Sequence, residues 1–146
     1  VCLAREGEVL QCGDIVLAPG NGKHTALKFR NGGWYCYFTE NDTQALHCPS
    51  VDVLFDSAVP KAKNVSAALL TGLGRDGADS LLKLSEHGAM TFGQDQHTCV
   101  IYGMPRAAMV IGAVQKELSL DRIGPAIRES REISTSVSDV KREANS

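Results

Sequence analysis

The chain has 146 residues, of which 43% are hydrophobic, and a formal net charge of −2. This size and composition indicate one domain, or part of one, with enough apolar residues for a core. The balanced charge and the lack of a Lys/Arg cluster argue against a nucleic-acid partner. The apolar runs are shorter than the roughly 20 residues of a membrane span, and no signal peptide is visible after Val1. We therefore expect a cytoplasmic protein without membrane insertion.

The cysteines are odd in number and include no C-x-x-C pair; they are Cys2, Cys12, Cys36, Cys48 and Cys99. This pattern argues against a disulfide framework and against a zinc site, so we expect free thiols in a reducing compartment. His47 beside Cys48 is the only adjacent pair of its kind, and catalytic partners usually meet through the fold instead. We expect neither a metal nor another cofactor.

The first third of the chain has the pattern of β structure. Residues 14–18 form a short apolar run that Pro19 and Gly20 end, which predicts a strand followed by a turn. Residues 26–30 and 34–38 alternate and carry aromatic side chains on both sides of an Asn-Gly-Gly turn. This arrangement predicts a β-hairpin.

The middle of the chain has the pattern of an α/β unit. Apolar residues repeat at helical spacing from Val51 to Ala58, between Pro49 and Pro60. A buried strand is predicted over 66–70, a helix over 78–85 that Gly88 ends, and a second strand over 89–92. Strand, helix and strand in this order imply a parallel crossover unit.

The C-terminal part is predicted to contain a short extended segment and two helices. Residues 99–101 have an extended pattern, and Pro105 is suited to open a helix. Asp121 could cap a last helix that reaches about Arg131. Residues 132–146 are dominated by polar side chains and are predicted to form a disordered tail, which leaves 1–131 as the folded part.

The loop over 71–77 follows a predicted strand, and ligands of parallel sheets bind beyond the carboxyl ends of the strands. It contains three glycines and Asp76. Asp76 could cap the next helix, with Asp79 three residues later, or it could orient a catalytic histidine. Phosphate binding by the glycines is a third alternative, although neither standard phosphate-loop motif is present.

A second polar segment, 94–98 followed by 102–106, comes after the next strand and should lie beside this loop. It contains His97, which could be a catalytic base or an exposed loop residue. His24, His47 and His87 are interpreted as surface residues, and His87 suits the last turn of a helix.

Three blocks of the sequence resemble the CheB family of chemotaxis protein-glutamate methylesterases. The first block is A-P-G at 18–20 with His24 close behind, and the second is H-C-P-S-V-D-V-L-F at 47–55. The third begins with L-T-G-L-G-R-D-G-A at 70–78 and continues through Gly88, Gln94-Asp95 and Thr98 to G-M-P-R at 103–106. Together the three blocks cover about residues 13–123, and their order and spacing strengthen the resemblance.

The resemblance implies a three-layer α/β fold with a mostly parallel sheet and a β-hairpin. It implies hydrolysis of glutamate methyl esters, and deamidation of glutamines, on the cytoplasmic domains of methylated chemoreceptors. The family's Ser-His-Asp triad would take its acid from Asp76, and the backbone N–H of Leu73 would be an oxyanion donor. Gly72, Gly74 and Met104 would contact the substrate.

The family's serine lies in a G-x-S-x-G-G loop and its histidine in a Q-H-M/I-P segment, and neither motif occurs in these 146 residues. We therefore expect 1–131 to be the C-terminal portion of a catalytic domain, inactive by itself. The sheet would then be incomplete at its N-terminal side, with an uncovered edge that promotes self-association. The rival hypothesis is a catalytically inactive homologue that binds receptors or signalling partners.

Overall fold

The structure is a computed structural model that describes residues 1–42 and 45–144, with side chains described up to residue 132. The strands in these ranges are β1 (Cys2–Leu3), β2 (Val16–Leu17), β3 (His24–Arg30), β4 (Gly33–Thr39), β5 (Ser66–Leu69), β6 (Met90–Gln94) and β7 (Lys116–Leu118). The α-helices are α1 (Val51–Ala58), α2 (Ala78–Glu86), α3 (Met104–Val110) and α4 (Leu120–Ala144), and a 3-10 segment, Val59–Asn64, follows α1.

The central sheet is parallel and has the strand order β5-β6-β7. Every residue from Thr91 to Gln94 in β6 is buried. Because neighbouring side chains of a strand point to opposite faces, both faces of the sheet are covered. The helices α2 and α3 contact β5 and β6, and α4 contacts the same two strands. The predicted α/β fold with a parallel sheet between helices is confirmed.

The core lies between this sheet and α2. Leu81 and Leu84 are fully buried on α2, and they meet Leu69 of β5 in one apolar cluster. Each such side chain contributes about 1.5–3 kcal/mol to folding by leaving water. The cluster fixes where β5 ends and α2 begins, and so it fixes the loop between them.

The β3–β4 hairpin has the regular register that its sequence predicts. Its strands pair from His24 opposite Thr39 to Arg30 opposite Gly33. Asn31 and Gly32 both have positive φ, at 50° and 75°, as the hairpin turn that matches strand twist requires. The hairpin packs against α1 through β3.

Two local predictions differ from the structure, and one strand was missed. Residues 99–101 do not form a strand; only Tyr102 makes a parallel bridge, to Gly72. The strand predicted over 14–18 is reduced to β2, which pairs with β1. The strand β7 was not predicted, because it is only three residues long and two of them are charged.

The helix α4 begins at Leu120, next to the predicted start at Asp121. The polar tail predicted over 132–146 falls almost entirely on residues whose side chains lie outside the described part, although α4 extends to Ala144. The disorder of this tail and the boundary at 131 stay predictions. None of the described helices is both long enough and apolar enough to cross a bilayer.

Candidate functional site

Asp76 lies in the loop between β5 and α2, and its half-buried carboxylate faces the start of α1. The N–H of Val51 donates to Oδ2 over 2.8 Å, and the N–H of Asp52 donates to Oδ1 over 3.0 Å. The hydroxyl of Ser50 donates to the same Oδ1 over 2.9 Å. Asp76 therefore satisfies first-turn N–H groups of α1 that have no partner within the helix.

The sequence left open that Asp76 caps the next helix, and the structure corrects this alternative. The residue before α2 is Gly77, with φ 89° and no side-chain cap. A Cβ on Gly77 would meet Val51 Cγ1 at 2.6 Å, so the close approach of α1 requires glycine here. In return Asp52, in the first turn of α1, accepts the N–H of Ser80 over 3.2 Å. The two helix starts are thus joined through Asp76 and Asp52.

The contacts of Asp76 set its charge. Burial alone would raise the pKa of Asp76, but the N–H donors of Val51 and Asp52 lower it, with help from Ser50 and the nearby His47. The net result is a pKa below the ordinary value of an aspartate. Asp76 is therefore a carboxylate at neutral pH, as the acid of a catalytic triad must be.

An open cleft of about 490 Å³ lies beside this carboxylate, and we call it the Asp76 cleft; it is lined by Ala45, Leu46, His47, Ser50, Asp52, Val53, Asp56, Gly74, Arg75 and Asp76. Its volume is within the range of small-molecule sites. A carboxylate oxygen accepts about two hydrogen bonds, whereas Oδ2 of Asp76 accepts one from Val51. Asp76, which lines the cleft, can therefore accept one more donor.

His24 supports this arrangement from the hairpin. The N–H of Ser50 donates to His24 Nδ1 over 3.1 Å, and Nε2 lies 3.1 Å from Asn41 Oδ1. Since Nδ1 accepts, the ring proton of the neutral imidazole is on Nε2 and is donated to Asn41. His24 is fully buried, so its interpretation as a surface residue was wrong. It holds Ser50, which in turn holds Asp76.

The other histidines lie in different surroundings. His47 is exposed and lines the Asp76 cleft. His97 is also exposed, lies near Asp95 and does not line this cleft. His87 follows the last turn of α2, and its Nδ1 lies 2.7 Å from the carbonyl oxygen of Lys83. Although the two polar segments do meet, His97 and Asp76 are not brought together.

The loop over 71–74 is fixed by hydrogen bonds on its first residues. The N–H of Thr71 donates to the side-chain oxygen of the buried Gln94 over 2.8 Å. The N–H of Gly72 donates to the carbonyl oxygen of Ile101 over 3.1 Å. Within residues 1–42 and 45–132, the N–H of Leu73 donates to no protein acceptor. Leu73 is an exposed residue, and an N–H without a protein acceptor is suited to bind an oxyanion.

Gly103 and Met104 hold the same loop from the start of α3. The N–H of Met104 donates to the carbonyl oxygen of Gly72 over 2.8 Å. A Cβ on Gly103 would lie 2.5 Å from that oxygen and 3.3 Å from Leu73 Cα, and a Cβ on Gly72 would lie 2.5 Å from Met104 Sδ. Met104 therefore packs over Gly72. Direct contact of Gly72, Gly74 and Met104 with a substrate stays a prediction.

The sequence analysis missed Ser50, Asp52 and the role of His24. The signal for Ser50 was its position directly before a predicted helix, which is typical of an N-cap residue. Nothing local indicated that Asp52 would reach Ser80. In the part of the chain that the structure describes, no group of three or more His, Cys, Asp or Glu residues could hold a metal ion.

A carboxylate beside a cleft at the carboxyl end of a parallel sheet, and a loop N–H without an acceptor among the described residues, are the kinds of group that triad-type hydrolytic sites use. The model of the CheB methylesterase family matches residues 1–127 of the chain. The chain belongs to this family.

Individual relatives agree with this assignment. The chain is similar to a protein-glutamate methylesterase/protein-glutamine glutaminase of Agrobacterium fabrum, with 47% identity over 125 residues, which are 85% of this chain and 35% of the relative. A relative of the same name from Caulobacter vibrioides is 42% identical over 85% of the chain and 36% of its own length. The chain thus spans about a third of the length of these relatives.

A solved structure shows the same similarity. The catalytic domain of the Thermotoga maritima CheB methylesterase superimposes with a TM-score of 0.79 and 30% sequence identity. The match covers 89% of this chain and 67% of that domain.

Proposed function

We propose that this chain carries the triad acid and the oxyanion loop of a protein-glutamate methylesterase, an enzyme that hydrolyses glutamate methyl esters and deamidates glutamines on chemoreceptors. The names of the relatives support the reaction. The observation that carries the proposal is the carboxylate of Asp76, held by three donors from α1 and its N-cap and still open to the Asp76 cleft.

In the proposed mechanism a serine and a histidine enter the Asp76 cleft from a segment outside residues 1–146. Asp76 accepts the Nδ1–H of the imidazole, which fixes the tautomer that can deprotonate the serine, and then stabilises the imidazolium. The serine attacks the ester carbonyl, and the oxygen that becomes negative binds the N–H of Leu73. Methanol leaves, and water hydrolyses the acyl-enzyme in the same way.

The proposed partners are the cytoplasmic domains of methylated chemoreceptors, which places the enzyme in the cytoplasm. Among the described strands β5 pairs only with β6, so its other edge is open. We propose that the segment carrying the serine and histidine covers this edge. Without it, the open edge would promote self-association of the chain.

The test compares two proteins by methanol release from methylated receptor. One is the chain alone. The other, which we call the complete enzyme, is a fusion in which the part of the Agrobacterium fabrum relative preceding the matched region is joined to Val1. We expect no release above background from the chain alone and turnover by the complete enzyme. Turnover by the chain alone would refute the proposal that the serine and histidine of the triad lie outside residues 1–146.

The rival proposal is a receptor- or partner-binding module without activity. It predicts that the natural parent protein has no G-x-S-x-G-G loop before Val1 and that, at full length, it binds methylated receptor but releases no methanol. Size-exclusion chromatography with light scattering checks the open edge: the chain alone should self-associate and the complete enzyme should not.

A further inference from the structure

The loop that carries Leu73 lies between two clefts. The second cleft, which we call the α3 cleft, has a volume of about 430 Å³ and is lined by Gly74, Arg75, Tyr102, Gly103, Arg106, Ala107, Val110 and Ile111. Both clefts share Gly74 and Arg75. A substrate carbonyl bound by the N–H of Leu73 would therefore have the α3 cleft directly beside it.

The α3 cleft carries positive charge that is not balanced within it. Of its described lining residues, two are arginines and none is an acid. Arg75 is engaged, since its Nη2 lies 2.8 Å from a carboxylate oxygen of Asp79. Arg106 is exposed and forms no ion pair within the described part of the chain. Arg106 is therefore the cation available to a ligand.

Tyr102 does not compete for this role. Its hydroxyl donates to Glu117 over 2.8 Å. Burial raises the pKa of Tyr102 to about 12, with further contributions from Glu117, whereas the nearby Arg106 acts in the opposite direction. The phenol therefore stays neutral, and its hydroxyl is already bound.

Apolar side chains stand exposed in this cleft and on the neighbouring loop. Val110, which lines it, is 76% exposed, and Leu73 on the loop is 77% exposed. A glutamate side chain matches such a site, because its methylene groups can cover apolar surface while its carboxylate pairs with a guanidinium.

We propose that the α3 cleft binds a carboxylate side chain of the substrate polypeptide next to the ester that is being hydrolysed, and that Arg106 is the specificity-determining residue that recognises it. This inference rests on the proposed function. Each hydrolysed ester leaves a glutamate in the substrate, so Arg106 would favour substrates in which neighbouring esters are already hydrolysed.

The test uses the complete enzyme and two helical peptides with one γ-methylglutamate each. One peptide has glutamate one helical turn away on both sides, and the other has glutamine there. We expect KM to be about three- to tenfold lower for the glutamate peptide, the effect of one partly exposed charged contact. Arg106→Gln should abolish this difference without changing kcat for the glutamate peptide, and Arg106→Lys should keep part of it. The control Arg122→Gln, at an exposed position of α4, should keep all of it.

A KM difference that persists in Arg106→Gln would overturn the proposal, and so would an equal loss of kcat with both peptides. Fluorescence anisotropy of the labelled ester-free peptides measures the same preference without turnover. Arg106-dependent binding of the glutamate peptide without hydrolysis of either ester would refute the proposed function and retain the subsite. Equal binding of both ester-free peptides, together with equal KM values, would refute the subsite alone.

Discussion

The β3–β4 hairpin and the loop between β5 and α2 are organised in opposite ways. In the hairpin each residue pairs with one that is close in sequence, across a tight turn at Asn31 and Gly32. In the loop, the side chain of Asp76 and the N–H of Thr71 have distant partners instead. Asp76 binds groups 24 to 26 residues away, and Thr71 binds Gln94, 23 residues away.

This difference separates what stabilises the molecule from what could act on a substrate. The hairpin pairs its two strands along their whole length, and it carries Phe29 and Trp34 in edge-to-face contact at 5.3 Å. The loop leaves the N–H of Leu73 and one side of the Asp76 carboxylate unengaged by the described residues. Changes in the loop should therefore affect turnover, and changes in the hairpin should affect folding. His24 connects the two regions.

The largest effect is expected for Asp76→Asn in the complete enzyme. An asparagine would present an N–H where the imidazole needs an acceptor, so the histidine would take the wrong tautomer. Removing a triad acid in this way lowers kcat by about 10⁴-fold. Methanol release measures kcat, and thermal unfolding of the same variant shows whether the fold is retained.

The matched control is Asp79→Asn, because Asp79 is an exposed acid three residues later that pairs only with Arg75 in the described structure. Its kcat should stay within about twofold of the unsubstituted enzyme, since exposed ion pairs contribute little. Equal losses in the two variants would contradict a special role for Asp76.

The next largest effect is expected for Gly103→Ala. The added Cβ meets the backbone of Gly72 and Leu73, which cannot turn away as a side chain would. The loop must shift, and the N–H of Leu73 shifts with it. We expect a loss of about 10²-fold in kcat, the size found when one oxyanion donor is lost, with a smaller change in KM. Gly124→Ala is the control, because a Cβ there meets no atom within 4 Å apart from its chain neighbours and the backbone of its own helix.

His24→Ala tests the connection between hairpin and loop. It removes the acceptor of the buried Ser50 N–H and leaves a cavity, so the free energy of unfolding should fall by about 2 kcal/mol. Urea denaturation measures this loss. His97→Ala, at an exposed histidine, should change stability by less than about 0.5 kcal/mol. If His24→Ala left stability unchanged, the hairpin would not support Ser50 as described.

A substitution confined to the hairpin should alter stability alone. Phe29→Leu removes the edge-to-face contact with Trp34 and the cation–π contact with Lys61, whose Nζ lies 5.0 Å from the ring centre. We expect a loss of about 1 kcal/mol in the free energy of unfolding and an unchanged kcat. A clear fall in kcat in a fully folded variant would show that the hairpin takes part in the reaction.

The smallest effect concerns pH. The pKa of Asp76 is lower in the folded protein than its ordinary value, so the folded state binds its proton less readily than the unfolded chain does. The stability that Asp76 contributes is therefore fully present above the ordinary aspartate pKa and is lost as pH falls through the lower folded value. Urea denaturation at a series of pH values, from neutral to below the folded pKa of Asp76, measures the free energy of unfolding. This free energy should fall less with decreasing pH in Asp76→Asn than in the unsubstituted protein. An identical decline would contradict the lowered pKa.

The same contrast explains which features could be predicted from the sequence. The hairpin and α2 follow from local alternation, turn residues and helical spacing, and these predictions were confirmed. The partners of Asp76 could not be predicted, because Ser50 and Val51 reach it only after α1 docks on α2. The burial of His24 was missed for a related reason, since its partner Ser50 lies 26 residues away and depends on how the hairpin packs against α1.

The most direct test of the central claim is an experimental structure of the complete enzyme. We predict that an imidazole from outside residues 1–146 occupies the Asp76 cleft, with a ring nitrogen about 2.6–3.2 Å from a carboxylate oxygen of Asp76. A structure in which that histidine pairs with another acid, while Asp76 contacts only Ser50, Val51 and Asp52, would contradict it.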